Sequence, residues 1–220
     1  AYDRAVDFLE PIDLADRFVR VLARLRGMPP PPDDVLWDQP EATAMSRPDE
    51  IDWAVGVYSA AFVRVMPPDP SVERSLASLA RHATLAILSN WPLAATIDRY
   101  AEAAGWTPHL GAIVVSQRVG TIKPDPAIFA EARRLLGNPE PRAILHVGDD
   151  WAADVVGAVR AGWRAAYVRS RPHDSPLPAS DRDGVVEARA HRTASAEDVA
   201  ACTNVDDLKA MWRTSSPEAA

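Results

Sequence analysis

Four short apolar runs in the second part of the chain constrain its fold more than any other feature. Each run holds four or five residues, and a pattern typical of a helix separates it from the next. Strands that are apolar along their whole length are typical of parallel sheets that helices cover on both faces. The runs span residues 85–88, 112–115, 143–147 and 165–168. We therefore expect an α/β fold built on a Rossmann-like parallel sheet.

The first 66 residues predict helices and no strand. Two stretches carry apolar side chains at steps of three and four residues, which is the spacing of one helix face. The two stripes consist of Leu14, Phe18, Val21 and Leu25, and of Ile51, Val55, Tyr58, Phe62 and Val65. Proline clusters separate these helices from each other and from the α/β part. We predict a small all-helical domain over 1–66 and an α/β core over 67–220, with a polar, proline-rich excursion at 171–194.

The charge balance and the cysteine content exclude several classes of protein. The chain has 31 acidic and 24 basic residues, a formal net charge of −7, whereas nucleic-acid binding favours a basic surface. The single cysteine, Cys202, excludes a disulfide framework and a cysteine-rich zinc site. No apolar run approaches the roughly 18–20 residues of a membrane span. We therefore expect a cytoplasmic protein that binds neither nucleic acid nor membranes, and the sequence leaves its oligomeric state open.

Polar and charged side chains follow three of the predicted strands. Ser89 comes directly after the first strand, and Lys123 lies in the loop after the second. Asp149 and Asp154 follow the third strand. Because ligands of parallel sheets bind beyond the carboxyl ends of the strands, we expect these side chains to converge. A hydroxyl, an ammonium and carboxylates together suit phosphate chemistry, with the carboxylates holding a hard cation such as Mg²⁺.

Three motifs in this part of the chain resemble those of one known family. LAILSN is similar to the second motif of the haloacid dehalogenase-like (HAD) hydrolases, GTIKPDPAIF to the third, and HVGDDWAADVVGAVRAGWRA to the fourth. The resemblance covers residues 67–170, and the helical segment before them resembles the helical cap domain of the family. It implies a HAD-like fold, in which a Rossmann-like parallel sheet carries a small helical cap.

The resemblance implies roles on the substrate side of the site. Ser89 would donate a hydrogen bond to the transferred phosphoryl group, and Asn90 would shape the turn beside it. Lys123 would neutralise the charge of the nucleophile and of the phosphate. Trp91 follows Asn90 and would border the mouth of the site, with packing as its alternative role. His146 lies inside an apolar strand, which predicts a core histidine rather than an acid or a base.

The resemblance also implies a metal site and a reaction class. Asp149 would bind Mg²⁺, Asp154 would support either the metal or Lys123, and Asp150 is a further candidate ligand. Helix capping is the alternative role of these three aspartates. Family dehalogenases work without a metal and usually lack this acidic fourth motif, whereas phosphatases keep it. The implied activity is therefore Mg²⁺-dependent hydrolysis of a small phosphorylated metabolite.

The first motif of the family is missing from the sequence. That motif is an apolar strand ending in D-x-D-x-(T/V), whose first aspartate attacks phosphorus and whose second acts as general acid and base. Asp3 and Asp7 have the wrong spacing and no strand before them, and residues 181–185 match by letters only and predict a polar turn. In the family this strand lies between those that carry Ser89 and Asp149. We therefore expect a chain that is truncated before its nucleophile and inactive as given.

Two alternative functions stay open beside the principal one. A chain that has lost its nucleophile would be a non-catalytic binding protein on the same fold. A 2-haloacid dehalogenase, which acts on a carbon–halogen bond, would also share the fold, but the acidic fourth motif disfavours it. The principal expectation is a Mg²⁺-dependent phosphomonoester hydrolase that works through an aspartyl-phosphate intermediate.

Overall fold

The structure, a computed structural model, describes residues 13–32, 37–168 and 199–202. Its first described elements are the helices α1 (Leu14–Leu25), α2 (Gln39–Ala44), α3 (Pro48–Val65) and α4 (Pro70–Leu79). Strands and helices follow as β1 (Leu85–Ser89), α5 (Ala94–Ala103), β2 (Leu110–Val115), α6 (Ser116–Val119), α7 (Pro126–Leu135), β3 (Leu145–Gly148), α8 (Gly157–Arg160), β4 (Arg164–Val168) and β5 (Val199–Cys202). A π-helical turn, Trp151–Val156, connects β3 to α8. The predicted order, helices first and then strands alternating with helices, is confirmed for the described residues.

All four predicted strands are present and parallel, but they form two separate sheets. β1 pairs with β2, while β3 pairs with β4 and β4 with β5. Among the strands that the structure describes, none lies between β1 and β3. The sequence analysis puts the missing strand between β1 and β3, and that position stays a prediction. Within the described residues, no strand pairs with both sheets.

The predicted apolar faces of the first helices are wrong in part. In α1 the buried residues are Leu14, Val19 and Ala23, whereas Val21 is 50% exposed and Leu25 is 78% exposed. Val19 and Ala23 pack with Ala42 of α2 and Ile51 of α3. Small alanine side chains let helix backbones approach closely, so the alanines turn α1 away from the face that its larger apolar residues predict. Val65, which the sequence places on the apolar face of α3, is 68% exposed.

The helical segment between β3 and β4 is only partly regular. Its first turn is π-helical and only Gly157–Arg160 is α-helical. In the π-helical turn the Val155 amide donates to the Asp150 carbonyl five residues back. Such turns hold one residue more than an α-helical turn and are frequent at functional sites. The buried core lies beside this turn, where Phe129, Trp163 and Val155 pack together.

Several sequence expectations lie outside the described residues. These are the excursion at 171–194, the D-x-D-like stretch at 181–185, and Asp3 and Asp7. The domain boundary after residue 66 stays a prediction. No helix within the described residues is long and apolar enough to cross a membrane.

A buried pair of hydroxyl groups connects the helical part to the α/β part. Ser59 of α3 is 3% exposed, Thr96 of α5 is fully buried, and their hydroxyl oxygens are 2.7 Å apart. A buried hydroxyl needs a hydrogen-bond partner, and each of these two supplies the partner of the other. The ring of Phe62, one turn further along α3, packs 4.7 Å from that of Trp91 in the loop after β1. The pair therefore holds α3 against α5, the helix that follows β1.

We predict that Ser59→Ala lowers the free energy of unfolding by about 1–3 kcal/mol, because it leaves the Thr96 hydroxyl buried without a partner. The double variant Ser59→Ala/Thr96→Val removes both hydroxyls and is expected to cost less than the sum of the single changes. Urea unfolding measures all of these, and Thr43→Ala, at an exposed hydroxyl on α2, is the control. Additive costs in the double variant would contradict the prediction.

Candidate active site

Lys123 connects the carboxyl end of β1 to the turn that follows β3. It lies in the loop between α6 and α7 and is only 7% exposed. Its Nζ donates to the Leu88 carbonyl of β1 at 2.8 Å and to Asp154 Oδ1, beyond β3, at 2.6 Å. The ammonium group therefore hydrogen-bonds to a strand of one sheet and to the turn that follows a strand of the other. A lysine ammonium has three N–H donors, so one is left without a partner among the described residues.

Asp154 accepts hydrogen bonds at both of its carboxylate oxygens. Oδ1 accepts from Lys123 and lies 3.0 Å from His146 Nε2, and Oδ2 accepts from the Asp150 backbone N–H at 3.0 Å. Burial alone would raise the pKa of the Asp154 carboxyl, but the hydrogen bond from His146 and the positive charge of Lys123 outweigh it. They hold this pKa well below its ordinary value. Asp154 is thus an ionised carboxylate that the protein itself surrounds with donors.

Gly148 provides the space that the Asp154 carboxylate occupies. A Cβ atom at position 148 would overlap Cγ and Oδ2 of Asp154. His146 and Gly148 are two residues apart in β3, so they face the same side of the strand. The carboxylate therefore lies over the end of β3 beside the His146 ring.

The Asn90 amide holds the backbone of Lys123 in place. Its Oδ1 accepts from the Lys123 backbone N–H at 2.7 Å, and its Nδ2 donates to the Lys123 carbonyl at 3.0 Å. These two bonds tie the loop after α6 to the loop after β1. Ser89 ends β1 directly before Asn90, and its hydroxyl has no partner among the residues that the structure describes. Asn90 therefore positions the Lys123 backbone. The neighbouring Ser89 hydroxyl stays a predicted phosphate ligand.

Trp91 lies where the helical part meets the α/β part. Its ring packs on Phe62, and its backbone carbonyl accepts from the Ser116 hydroxyl at 3.2 Å. Its buried indole N–H has no hydrogen-bond partner in the described part of the chain. The packing role that the sequence analysis kept as an alternative is therefore present, and a contact with substrate stays a prediction.

The other two aspartates of the fourth motif differ in their surroundings. Asp149 is exposed at the carboxyl edge of β3. Asp150 caps the π-helical turn, where its Oδ1 accepts from the Ala153 backbone N–H at 2.9 Å. Within the described ranges no group of three His, Cys, Asp or Glu side chains is arranged to hold a metal ion. Of the three predicted ligands, Asp149 is the exposed one, and Asp154 supports Lys123.

The sequence also matches a family model. The model is described as haloacid dehalogenase-like hydrolase and matches residues 33–162, more than half of the chain. The chain belongs to the haloacid dehalogenase-like hydrolase family. The resemblance drawn from the three motifs is confirmed, and so is the HAD-like α/β fold.

Curated relatives of this HAD-like hydrolase include two phosphate-releasing enzymes. The chain is 28% identical over 125 residues to pyrimidine 5'-nucleotidase YjjG of Escherichia coli, which is 55% of this chain and 55% of the relative. It is 38% identical over 71 residues to glyceraldehyde 3-phosphate phosphatase of Methanopyrus kandleri, which is 32% of this chain and 30% of the relative. The chain therefore spans only about half, or less, of the length of these relatives.

Solved structures of two kinds share the HAD-like fold of the chain. A 2-haloacid dehalogenase from Pseudomonas syringae superposes with a TM-score of 0.60 at 22% identity, over 93% of this chain and 73% of that chain. A HAD phosphatase from Thermococcus onnurineus superposes with a TM-score of 0.51 at 18% identity, over 90% and 87%. At these identities the likeness shows the fold alone.

The structure brings together Asn90, Lys123 and Asp154 of the predicted site residues, and Ser89 directly precedes Asn90 at the end of β1. Sequence reasoning missed the contact of His146 with Asp154, because it treated the histidine as part of the core only. The sequence does hold a signal for this contact. His146 and Gly148 are two residues apart and so lie on one face of β3, where the glycine leaves room for a polar group beside the histidine.

We predict that Gly148→Ala destabilises this HAD-like hydrolase by about 1–3 kcal/mol, because the added methyl group displaces the Asp154 carboxylate. Gly56→Ala is the matched control, since a Cβ atom there meets nothing within 4 Å. Gly56 lies inside α3, where alanine is expected to stabilise by about 0.5–1 kcal/mol. Urea unfolding of both variants checks the prediction, and a Gly148→Ala protein as stable as the wild type would show that the carboxylate does not occupy this space.

Proposed function

We propose that this HAD-like hydrolase is a phosphomonoester hydrolase that acts on a small phosphorylated metabolite, with Mg²⁺ as its cofactor. The observation that carries the proposal is the buried Lys123 ammonium at the carboxyl edge of the sheets. It is held by Leu88 and Asp154 and keeps one N–H for a further acceptor. The hydrolase family supports the reaction class, and the phosphatase and the nucleotidase among the relatives support a phosphate ester as substrate.

The side chains at this edge suit a transferring phosphoryl group. Lys123 would donate to a phosphoryl oxygen and offset the negative charge that builds up as the bond to the leaving group breaks. The Ser89 hydroxyl would donate a hydrogen bond to a second phosphoryl oxygen. Because Asn90 and Asp154 hold Lys123 from two sides, its ammonium would not have to reorganise during the reaction.

The proposed Mg²⁺ ion would be held at the carboxyl end of β3. Asp149 is the residue that would hold it, since Mg²⁺ needs only one or two carboxylates and keeps water and phosphate oxygens as its other ligands. When bound, the ion supplies positive charge that stabilises the transferring phosphoryl group. Asp150, which caps the π-helical turn through Oδ1, would be a further ligand.

The proposed reaction proceeds through an aspartyl-phosphate. An aspartate oxygen bonds to phosphorus while the ester oxygen leaves with a proton from a second aspartate, and water then releases inorganic phosphate and restores the first carboxylate. That pair of aspartates would lie on a strand between β1 and β3, where the described strands leave an interruption. The 220 residues hold no apolar run that ends in such a pair. We therefore propose that they have no turnover on their own.

Two other functions are the outcomes that would replace this proposal. A binding protein without turnover would have the fold and a strand between β1 and β3 that lacks the two aspartates. A dehalogenase would release halide from a 2-haloacid without needing a metal. We also propose a cytoplasmic protein with no nucleic-acid or membrane partner, and its net charge of −7 disfavours nucleic acid.

The test compares residues 1–220 with the same chain expressed together with any codons that precede Ala1 in frame. Phosphate release from p-nitrophenyl phosphate is measured with Mg²⁺ and with EDTA. We expect turnover in the longer chain only, and we expect Lys123→Met to lower kcat about 10²–10³-fold. Lys209→Met is the matched control, because the chain has no lysines other than Lys123 and Lys209.

The outcomes separate the three functions. Asp149→Asn should raise the Mg²⁺ concentration that gives half-maximal activity. Halide release from 2-chloropropionate that persists in EDTA would replace the phosphatase by a dehalogenase. Absence of both activities in the longer chain would point to a binding protein.

A further inference from the structure

We propose that His146 is a positioning residue, which fixes the Asp154 carboxylate and through it the ammonium of Lys123. The role in catalysis rests on the proposed phosphatase function, whereas the contacts themselves do not. His146 Nε2 lies 3.0 Å from Asp154 Oδ1, the oxygen that also accepts from Lys123 Nζ at 2.6 Å. The three side chains thus share one oxygen atom.

The protonation of the imidazole follows from the chemistry of its partner. An ionised carboxylate has only acceptors, so the contact with Asp154 is a hydrogen bond only when His146 Nε2 carries a proton. We infer the Nε2–H form of the ring for this reason. A proton on Nε2 adds a donor to the pair of Lys123 and Asp154.

Aromatic neighbours fix the orientation of the His146 ring. The centroid of the His146 ring lies 5.8 Å from that of Phe129, with an interplanar angle of 83°, and 6.4 Å from that of Trp163. Both pairs are T-shaped. Phe129 and Trp163 also pack against each other, with centroids 5.2 Å apart. Because these rings belong to the buried core, the imidazole can turn only if the core around it moves.

The Asp154 carboxylate depends on this fixed donor. Its Oδ2 is held by the Asp150 backbone N–H, and its Oδ1 is held by two side chains, of which Lys123 is the long and flexible one. Without His146, the oxygen that orients the ammonium would be held only by the ammonium itself. The rigid ring therefore sets the position from which Lys123 points its remaining N–H.

Two substitutions separate positioning from packing. His146→Phe keeps an aromatic ring of similar size in the core but has no N–H. His146→Gln loses the ring and can place an amide N–H near the position of Nε2. If His146 acts only by packing, His146→Phe should behave like the wild type. If it acts by positioning Asp154, His146→Gln should be the variant that behaves like the wild type.

The first measurement is the acetylation of Lys123 relative to Lys209 by an amine-reactive reagent, read by mass spectrometry. Because the Lys123 side chain is 9% exposed, its labelling requires the cluster to open. We expect His146→Phe to raise the relative labelling of Lys123 about tenfold and His146→Gln to return it to within about twofold of the wild type. Equal labelling in all three proteins, or protection by phenylalanine and not by glutamine, would overturn the proposal.

The second measurement uses the unmodified protein and remains decisive if a variant fails to fold. A long-range ¹H–¹⁵N spectrum distinguishes the two ring nitrogens of His146, and His146→Gln assigns its signals among the five histidines. Where that variant does not fold, His82→Gln and His109→Gln, at residues outside the cluster, narrow the assignment. We expect a protonated Nε2, and a ring whose proton is on Nδ1 alone would overturn the proposal.

A third measurement separates this inference from the proposed function. In the chain that shows phosphatase turnover, His146→Phe should lower kcat about tenfold with little change in KM, and His146→Gln should recover it. If no phosphatase activity exists, the labelling and the spectrum still test the positioning of Lys123. If activity exists and kcat is unchanged in His146→Phe, the proposal is overturned while the function stands.

Discussion

The buried ion pair between Lys123 Nζ and Asp154 Oδ1 is the interaction on which the rest of the site depends. It joins a loop that is anchored to β1 to the π-helical turn that follows β3. Both residues are less than a tenth exposed, so each charge would be costly to bury without the other. The features around the pair serve it, because Asn90 holds the lysine backbone, Gly148 leaves room for the carboxylate and His146 donates to it.

The site combines a rigid interior with an exposed rim. The interior holds the Lys123 ammonium, one of whose donors has no partner among the described residues. The rim carries the Ser89 hydroxyl and the exposed Asp149 carboxylate at the ends of β1 and β3. Such an arrangement suits an anionic group that binds at the strand ends and is stabilised by the buried ammonium. It is the basis for the phosphate ester proposed as substrate.

The local sequence patterns predict the α/β part well because its strands are apolar throughout and end in polar residues. Ser89, Lys123 and Asp154 could be placed at one edge from strand order alone. The helical part is predicted less well, since contacts at Ala23 and Ala42, and not the larger apolar residues, decide which face of α1 is buried. The π-helical turn and the bond from His146 to Asp154 could not be read from periodicity, because both depend on how β3 and the following turn meet in space.

A double-mutant cycle on Lys123 and Asp154 tests the central claim most directly. The free energy of unfolding is measured for the wild type, Lys123→Met, Asp154→Asn and the double variant. Each single change should cost about 3–5 kcal/mol, because it leaves the other charge buried and unpaired. The double change should cost at least about 2 kcal/mol less than the sum of the single changes. Costs that add to within about 0.5 kcal/mol would mean that the two residues are not coupled, and would contradict the account of the site given above.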